Sequence, residues 1–421
     1  MVASTDIKFY VHTNNNAPQL QNAYGSMINV LDACLIDGIQ IGAVNSLTAS
    51  GNMATATFGS AHNLIQYQVI KITGANQPEF NGEHRILTVP NSNTVTFELA
   101  SESSVPIATG AIIASLPSLG WEKPFSSNNP SGGGKAAYRP TNSDSLSRPF
   151  LRVVDELDSV WNLSYAKYAK VGIVEDMADI DTMMGMQSPF DLTNPDKNWL
   201  GSGSGTSAIN GWSIWAYALA SNENTSSNLF ATPPSGAREW FILGSSDYIY
   251  VFPRFHTTKE TKNRLCPYFF GNIGSGFALL HSVISGSSIS PWGNAALTDL
   301  NYSSKSEGGS CLLNDSGTLK NIKIFTFSLF YPLYTGPANF RPASGNTEIF
   351  KPQFGNKILS TNIIALDGAG APIGNFPSCE FVHAKLPYPH LLTFNEITNM
   401  KIAVNCIAYE QGEVLFNLGE L

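Results

Sequence analysis

Four carboxylates crowd one short stretch of this chain: Glu175, Asp176, Asp179 and Asp181. Two chemistries use acids set so close. A hard cation such as calcium takes oxygen ligands, and glycoside hydrolysis uses a carboxyl pair at a defined separation. The stretch lacks the loop glycine and terminal glutamate of an EF-hand, and closeness in sequence does not fix carboxyl separation in space. A solvated acidic turn is therefore expected, and no metal is assigned. The histidines (His12, His62, His84, His256, His281, His383 and His390) never fall in the H-E-x-x-H pattern. Pro387 and Pro389 stand between the last two, which excludes a helical ligand pair there. The run Gly271-Asn272-Ile273-Gly274-Ser275-Gly276 has neither the dinucleotide spacing nor the lysine of a phosphate loop. Gly201-Ser202-Gly203-Ser204-Gly205 does not place a serine in a nucleophile elbow. Cys34, Cys266, Cys311, Cys379 and Cys406 are odd in number, far apart and without a C-x-x-C, which predicts buried reduced thiols, consistent with folding in a bacterial cytoplasm. No catalytic residue, cofactor or metal ligand is expected, and the chain is not read as an enzyme.

Aromatic residues are more suggestive. Trp121, Trp161, Trp199, Trp212, Trp215 and Trp292 fall largely in or beside segments of loop composition. Rigid rings in exposed loops give large contact area at little entropy cost, so they suit sugar or protein recognition. Trp121, Trp199, Trp212, Trp215 and Trp292 are the candidate interaction surface. The alternative is burial of these rings beneath their own loops.

Positioning such loops requires a scaffold. Leu20, Tyr24, Met27, Ile28, Leu31 and Leu35 recur at helical spacing, so a helix is predicted over Pro18–Ile36 with Gly38 as its stop. Gly25 within it suggests either close approach by another backbone or a glycine simply tolerated there. From residue 44 to 115 the period becomes two. Met53–Phe58, Tyr67–Ile72, Arg85–Val89 and Thr94–Leu99 read as strands separated by turn residues, and they predict a small inserted β-barrel or sandwich. Residues 116–149 are rich in Pro, Gly, Ser and Asn and read as a linker or arm. Residues 191–236 likewise read as loop. Phe150–Val154 pairs with Tyr168–Val174, and Glu239–Leu243 with Tyr248–Phe252. Further strands fit Ile322–Leu329, Ile358–Ala365, Cys379–Ala384 and Ile402–Ala408. The predicted class is mainly β. Residues 1–43 form an N-terminal strand and helix docking segment, 44–115 the small β-module, 116–149 the linker, and 150–421 a larger β-sandwich-like body with long loops.

Composition narrows the function classes. Over 421 residues the chain is 43% hydrophobic but only 13% charged, about half the usual share of roughly 25%. Interface cores are depleted in charge, so a protein packed against neighbours is the reading favoured; the alternative is a stable extracellular β-protein with a neutral polar coat. A net charge of −8, with no basic run, argues against nucleic-acid binding. No apolar run reaches the roughly 18 residues of a membrane span. Met1–Asp6 has neither a basic nor an apolar secretory signal region.

Several stretches carry a resemblance: Val30-Leu31-Asp32-Ala33-Cys34-Leu35-Ile36-Asp37-Gly38, Ala54-Thr55-Ala56-Thr57-Phe58, Ile72-Thr73-Gly74-Ala75 and Phe80-Asn81-Gly82-Glu83. Gly120-Trp121-Glu122-Lys123-Pro124-Phe125, Arg238–Leu243 and Phe270-Gly271-Asn272-Ile273 add to it. They resemble virion structural proteins of tailed bacteriophages that infect Gram-negative bacteria, over roughly the first 150 residues and thinly beyond. Several members read Phe-Gly-Asp-Ile at the last stretch, where this chain has Asn272. The resemblance implies a particle component of the tail tip or baseplate, assembled in the host cytoplasm and contacting other virion proteins. A homo-oligomer, ring or trimer, is the expected form. A head decoration or head-fibre protein, and a receptor-binding protein that recognises a host-surface glycan, are the alternatives.

Overall fold

The computed structural model describes residues 2–142, 148–190, 194–209, 211–220, 229–257, 265–285, 288–290, 310–314, 319–321, 323–326, 358, 360–367, 371–382, 387–407 and 411–421. The protein is mainly β; the described residues form several sheets, one small closed barrel and one short α-helix.

Strand β1 (Lys8–Val11) precedes helix α1 (Ser26–Asp32), which runs into a π-helical turn, Ala33–Asp37. The helix is much shorter than the predicted Pro18–Ile36. Gly25 sits at φ +86°, a left-handed conformation that ends any helix arriving from the N-terminal side. Leu20, counted in the helical stripe, instead forms a β-bridge with Arg238. The close approach inferred at Gly25 is real: a Cβ there would lie 2.9 Å from Gly133 Cα.

Six strands follow: β2 (Ile39–Ser50), β3 (Met53–Phe58), β4 (Val69–Ala75), β5 (Gly82–Asn91), β6 (Thr94–Glu98) and β7 (Gly110–Leu116). They close in the order β2-β3-β6-β5-β4-β7. The module thus starts a few residues before the predicted 44 and is a barrel rather than a sandwich. Alternation along β3, with Ala54, Ala56 and Phe58 buried, supplies its core. Arg85 joins barrel to body. Its buried guanidinium donates to the carbonyls of Ser4, Ile7, Tyr67 and Leu418.

The described residues of 116–149 do not form an arm. They contain β8 (Glu122–Asn128) and β9 (Gly133–Arg139), an antiparallel hairpin whose turn is the glycine-rich stretch. Gly132 and Gly133 take φ +107° and +78°, which suits a tight turn. Ala136, Ala137 and Tyr138 are completely buried, so composition misled where packing decided. The chain continues through β10 (Phe150–Glu156), β11 (Lys167–Met177), β12 (Met183–Ser188) and β13 (Ser213–Ala218). Strand β13 also overturns a loop expectation. It lies inside the predicted 191–236 loop, yet every residue of it is buried.

The remaining strands are β14 (Trp240–Gly244), β15 (Tyr248–Pro253), β16 (Tyr268–Asn272), β17 (Gly276–Leu280), β18 (Ser282–Ser285), β19 (Ser288–Ser290), β20 (Ser310–Asn314) and β21 (Leu319–Asn321). After them come β22 (Lys323–Thr326), β23 (Ser360–Leu366), β24 (Pro372–Val382), β25 (Thr393–Glu396), β26 (Asn399–Ile407) and β27 (Gln411–Glu420). The predicted β10–β11 and β14–β15 pairings are present in antiparallel register.

Three sheets form the body. The middle one runs β1-β14-β15-β16-β17-β20-β21. One outer sheet runs β19-β18-β13-β11-β10-β9-β8, with β12 also on β11, and the other runs β22-β23-β24-β27-β26-β25. Alternate residues of the middle sheet face opposite neighbours. Ile242, Ile249, Val251, Tyr268, Phe270 and Leu279 pack toward the eight-stranded sheet, where Trp215 stacks on Tyr268 at 5.6 Å. Phe241, Leu243, Tyr250, Phe252 and Phe269 pack toward the six-stranded sheet, meeting Phe416 and Phe376. Burial on both faces explains the unbroken apolar runs at 240–243 and 248–252.

Candidate functional site

The outer face of the eight-stranded sheet carries two cations in its middle strands, Arg152 on β10 and Lys170 on β11, and both are buried. Two loop segments, 157–166 and 194–212, close over them. The Trp199 ring lies under the Arg152 guanidinium at 4.4 Å, and the Trp212 ring lies 4.4 Å from the Lys170 ammonium. Lys170 Nζ donates to Asp158 Oδ2 at 2.5 Å and to the Trp199 carbonyl at 2.5 Å. Asp158 in turn accepts the amides of Val160 and Gly201. One ion pair thus ties both loops to the sheet. Burial pushes the Asp158 carboxyl up, but the Lys170 ammonium and the amide donors outweigh it and hold the group below the usual carboxylate range. Burial lowers Lys170 from its ordinary value, against the pull of Asp158.

This packing settles where the tryptophans point. Trp161, Trp199 and Trp212 are buried under the loops that carry them, with Trp161, Tyr165, Tyr168, Trp212 and Phe230 forming one aromatic cluster. Trp121 is buried, donating its Nε1 hydrogen to the Ser245 carbonyl, and Trp215 is buried between sheets with Nε1 on the Leu280 carbonyl. Trp121, Trp199, Trp212 and Trp215 therefore do not present their rings at the surface, which corrects the expected interaction surface. Trp292 lies outside the described residues. For Trp199 and Trp212 the physical reason is that a buried cation lowers its cost by facing an indole; Trp121 and Trp215 are buried by packing against Phe270 and Tyr268 of the middle sheet.

The acidic stretch is dispersed. Asp181 pairs with Lys135 at 2.7 Å and with Arg152 at 2.8 Å. Asp179 Oδ1 accepts the amides of Asp181 and Thr182, closing the turn between β11 and β12. Glu175 accepts the Met186 amide, and Asp176 accepts that of Met177. These carboxylates build a turn and two ion pairs. Among the described residues no group of three or more His, Cys, Asp or Glu is placed to hold a metal ion.

The histidines are also scattered. His84 stacks on Phe97, His62 accepts the Leu64 amide, and burial lowers His281 to about 4. His383 lies outside the described residues. His390 belongs to a second polar locus, where the six-stranded and middle sheets meet. Its Nδ1 accepts the Asn405 amide, which leaves the hydrogen on Nε2, 3.2 Å from Glu239 Oε1. Glu239 also pairs with Arg254. Burial raises Glu239, yet His390 and Arg254 bring it to about 2. Nearby Glu413, facing Asn405 across β26 and β27, is pushed up to about 7 by burial, with the Tyr388 amide opposing.

The exposed apolar side chains escaped the sequence reading. Leu163 and Leu200 flank the tryptophan loops at 61% and 62% exposure, and Met184, Met186 and Phe190 lie on and just beyond β12. Ile107 and Ile113 project from the barrel, and Ile397 stands at the β25–β26 turn at 95% exposure and φ +60°. A β-branched residue in that conformation is strained. Strand or loop periodicity carries no signal for such single positions. No helix of the described residues is long and apolar enough to cross a membrane.

No family model matches the chain, and no curated protein matches it. Among solved structures the chain is similar to "Phage phi92 endosialidase" at 8% identity and a TM-score of 0.17, over 90% of this chain and 51% of that one. The chain therefore spans about half the length of that protein. At that score the likeness does not establish a shared fold.

Proposed function

We propose that this chain is a structural protein of a tailed-bacteriophage virion, placed at the tail tip or baseplate and acting through subunit–subunit contact. The observation that carries the reading is the pairing of a 13% charged composition with large apolar side chains left in water, including Leu163, Leu200, Ile113 and Ile397. Few charges oppose association, and exposed apolar groups favour it. The sequence resemblance over the first 150 residues supports the same reading. A glycan-recognising role would need rings other than Trp121, Trp199, Trp212 and Trp215. Light scattering on the purified chain is expected to give a multiple of 45.4 kDa, a ring or trimer, and labelled particles are expected to show it at the tail end. A monomer at high concentration, absent from purified particles, sinks the proposal. Label on the capsid shell moves the protein to the head.

A further inference from the structure

The first turn of α1 has no side-chain cap from its own segment. A buried acid from the sheet takes that place. Asp155 on β10 uses Oδ2 to accept the amide hydrogens of Met27 at 3.0 Å and Ile28 at 3.4 Å. Its Oδ1 lies 2.7 Å from the Tyr217 hydroxyl of β13, which is also 3.1 Å from the Ala23 carbonyl. Asp155 is wholly buried, and none of the ion pairs among the described residues includes it.

The groups around it are mostly neutral. Tyr24 before the helix, Tyr138 on β9 and Tyr217 on β13 all feel its charge. Lys167 of β11 lies over the Tyr24 ring at 5.4 Å but spends its hydrogens on the carbonyls of Leu163 and Tyr165. Arg238, which acts on Tyr217, donates to the carbonyls of Pro234, Gly236 and Phe255. Asp158, which acts on Tyr24, is paired with Lys170, and Asp32, bonded to Tyr138, is paired with Lys123.

Both protonation states keep this network intact. With Asp155 ionised, Tyr217 donates to Oδ1 while Ser26 Oγ, at 2.7 Å, serves the Ala23 carbonyl. With Asp155 neutral, a proton on Oδ1 goes to the Tyr217 oxygen, and the Tyr217 hydrogen turns to Ala23. Only the charge differs, and a charge without a cation in a dry site is costly. The helix itself shuts out water, since Gly25 presses on Gly133, whose own Cβ position is 2.0 Å from the Asp155 carbonyl.

We propose that Asp155 is a proton-operated clasp: when neutral it holds the N-terminal helix on the eight-stranded sheet, and when ionised it favours lifting of that helix so that water reaches the carboxylate. Burial raises its carboxyl from 3.8 to about 7, with the Tyr217 and helix amide donors offsetting only part. The raised folded value means that the clasp is strongest below about pH 4, weakens as pH rises through 7, and is level above.

The test is amide exchange of residues 26–31 in the full chain, corrected for intrinsic rates. Opening is expected to rise up to ~100-fold between about pH 5 and 7 and then flatten. Asp155→Asn, whose amide donates to Tyr217 and accepts from the helix, is expected to show no such rise. Tyr217→Phe, which removes a donor to the charged form, is expected to move the midpoint upward. Opening independent of pH in the unaltered chain, or an Asp155→Asn slope equal to it, overturns the proposal. Should the asparagine variant not fold, an unmoved midpoint in Tyr217→Phe does the same.

Discussion

Lys170 shows how a charge-poor chain uses the ions it keeps. Its ammonium touches a carboxylate, a carbonyl and an indole face, and each contact comes from a loop rather than from the sheet. Breaking a buried pair by removing one partner leaves the other charge uncompensated, at ~3–5 kcal/mol. Lys170→Met is therefore expected to destabilise the chain by ~3 kcal/mol in urea unfolding. The double change with Asp158→Asn is expected to cost less than the two single changes added together. Equal or greater cost in the double variant rejects this account of the loop closure. The same pair explains why the tryptophans misled as sequence. Trp199 and Trp212 sit among Gly, Ser and Asn, a composition that is identical whether the ring points to water or to a buried cation. Arg152 and Lys170 decide the matter, and they lie 47 and 42 residues away from those rings along the chain.

At the scale of elements, the helix and the β8–β9 hairpin depend on each other through two glycines. Gly25 ends the incoming chain in a left-handed conformation, and Gly133 does the same on the hairpin. A Cβ at Gly133 would lie 2.0 Å from the Asp155 carbonyl, and that backbone has nowhere to go. Overpacking typically costs ~1–3 kcal/mol and the left-handed conformation another ~1–2. Gly133→Ala is thus expected to lose at least ~2 kcal/mol and to speed exchange throughout α1, whereas Gly132→Ala, with open space around it, pays only the conformational term. Similar losses at both positions would show that the contact with the sheet does not matter. The sequence pattern found the helix but not its start, because left-handed glycines leave hydrophobic spacing untouched.

For the whole molecule, stability against pH has two limbs. Glu239 is depressed in the fold to about 2 from an ordinary 4.5, so its contribution is present above about 4.5 and lost as pH falls toward 2. Glu413 is raised from 4.5 to about 7, so stability is fullest below 4.5 and declines as pH rises through 7. Together they place the maximum in mildly acidic solution. Glu413→Gln is expected to recover on the order of 2 kcal/mol near pH 7.5 relative to the unaltered chain, and nothing near pH 4.5. Part of the neutral limb persists in that variant because Asp155 titrates in the same window. A Glu413→Gln melting curve that tracks the unaltered chain at both pH values contradicts the assignment.

What the sequence determined by itself is the material and the local grammar: a mainly β chain, a small β-module (barrel or sandwich) read from period-two alternation, and the β10–β11 and β14–β15 pairings read from apolar runs bounded by turns. Those features are written in neighbouring residues, and neighbours along a chain are what a strand or turn consists of. Tertiary structure alone decided that 122–139 is a sheet hairpin and not an arm, that closure makes the small module a barrel, that β13 lies inside a stretch of loop composition, that the described tryptophans are buried, and that Asp155 caps a helix 128 residues upstream at Met27. Each of these depends on which distant residue arrives opposite. Burial of a glycine turn, an indole or an acid is stabilising or costly only in relation to that partner.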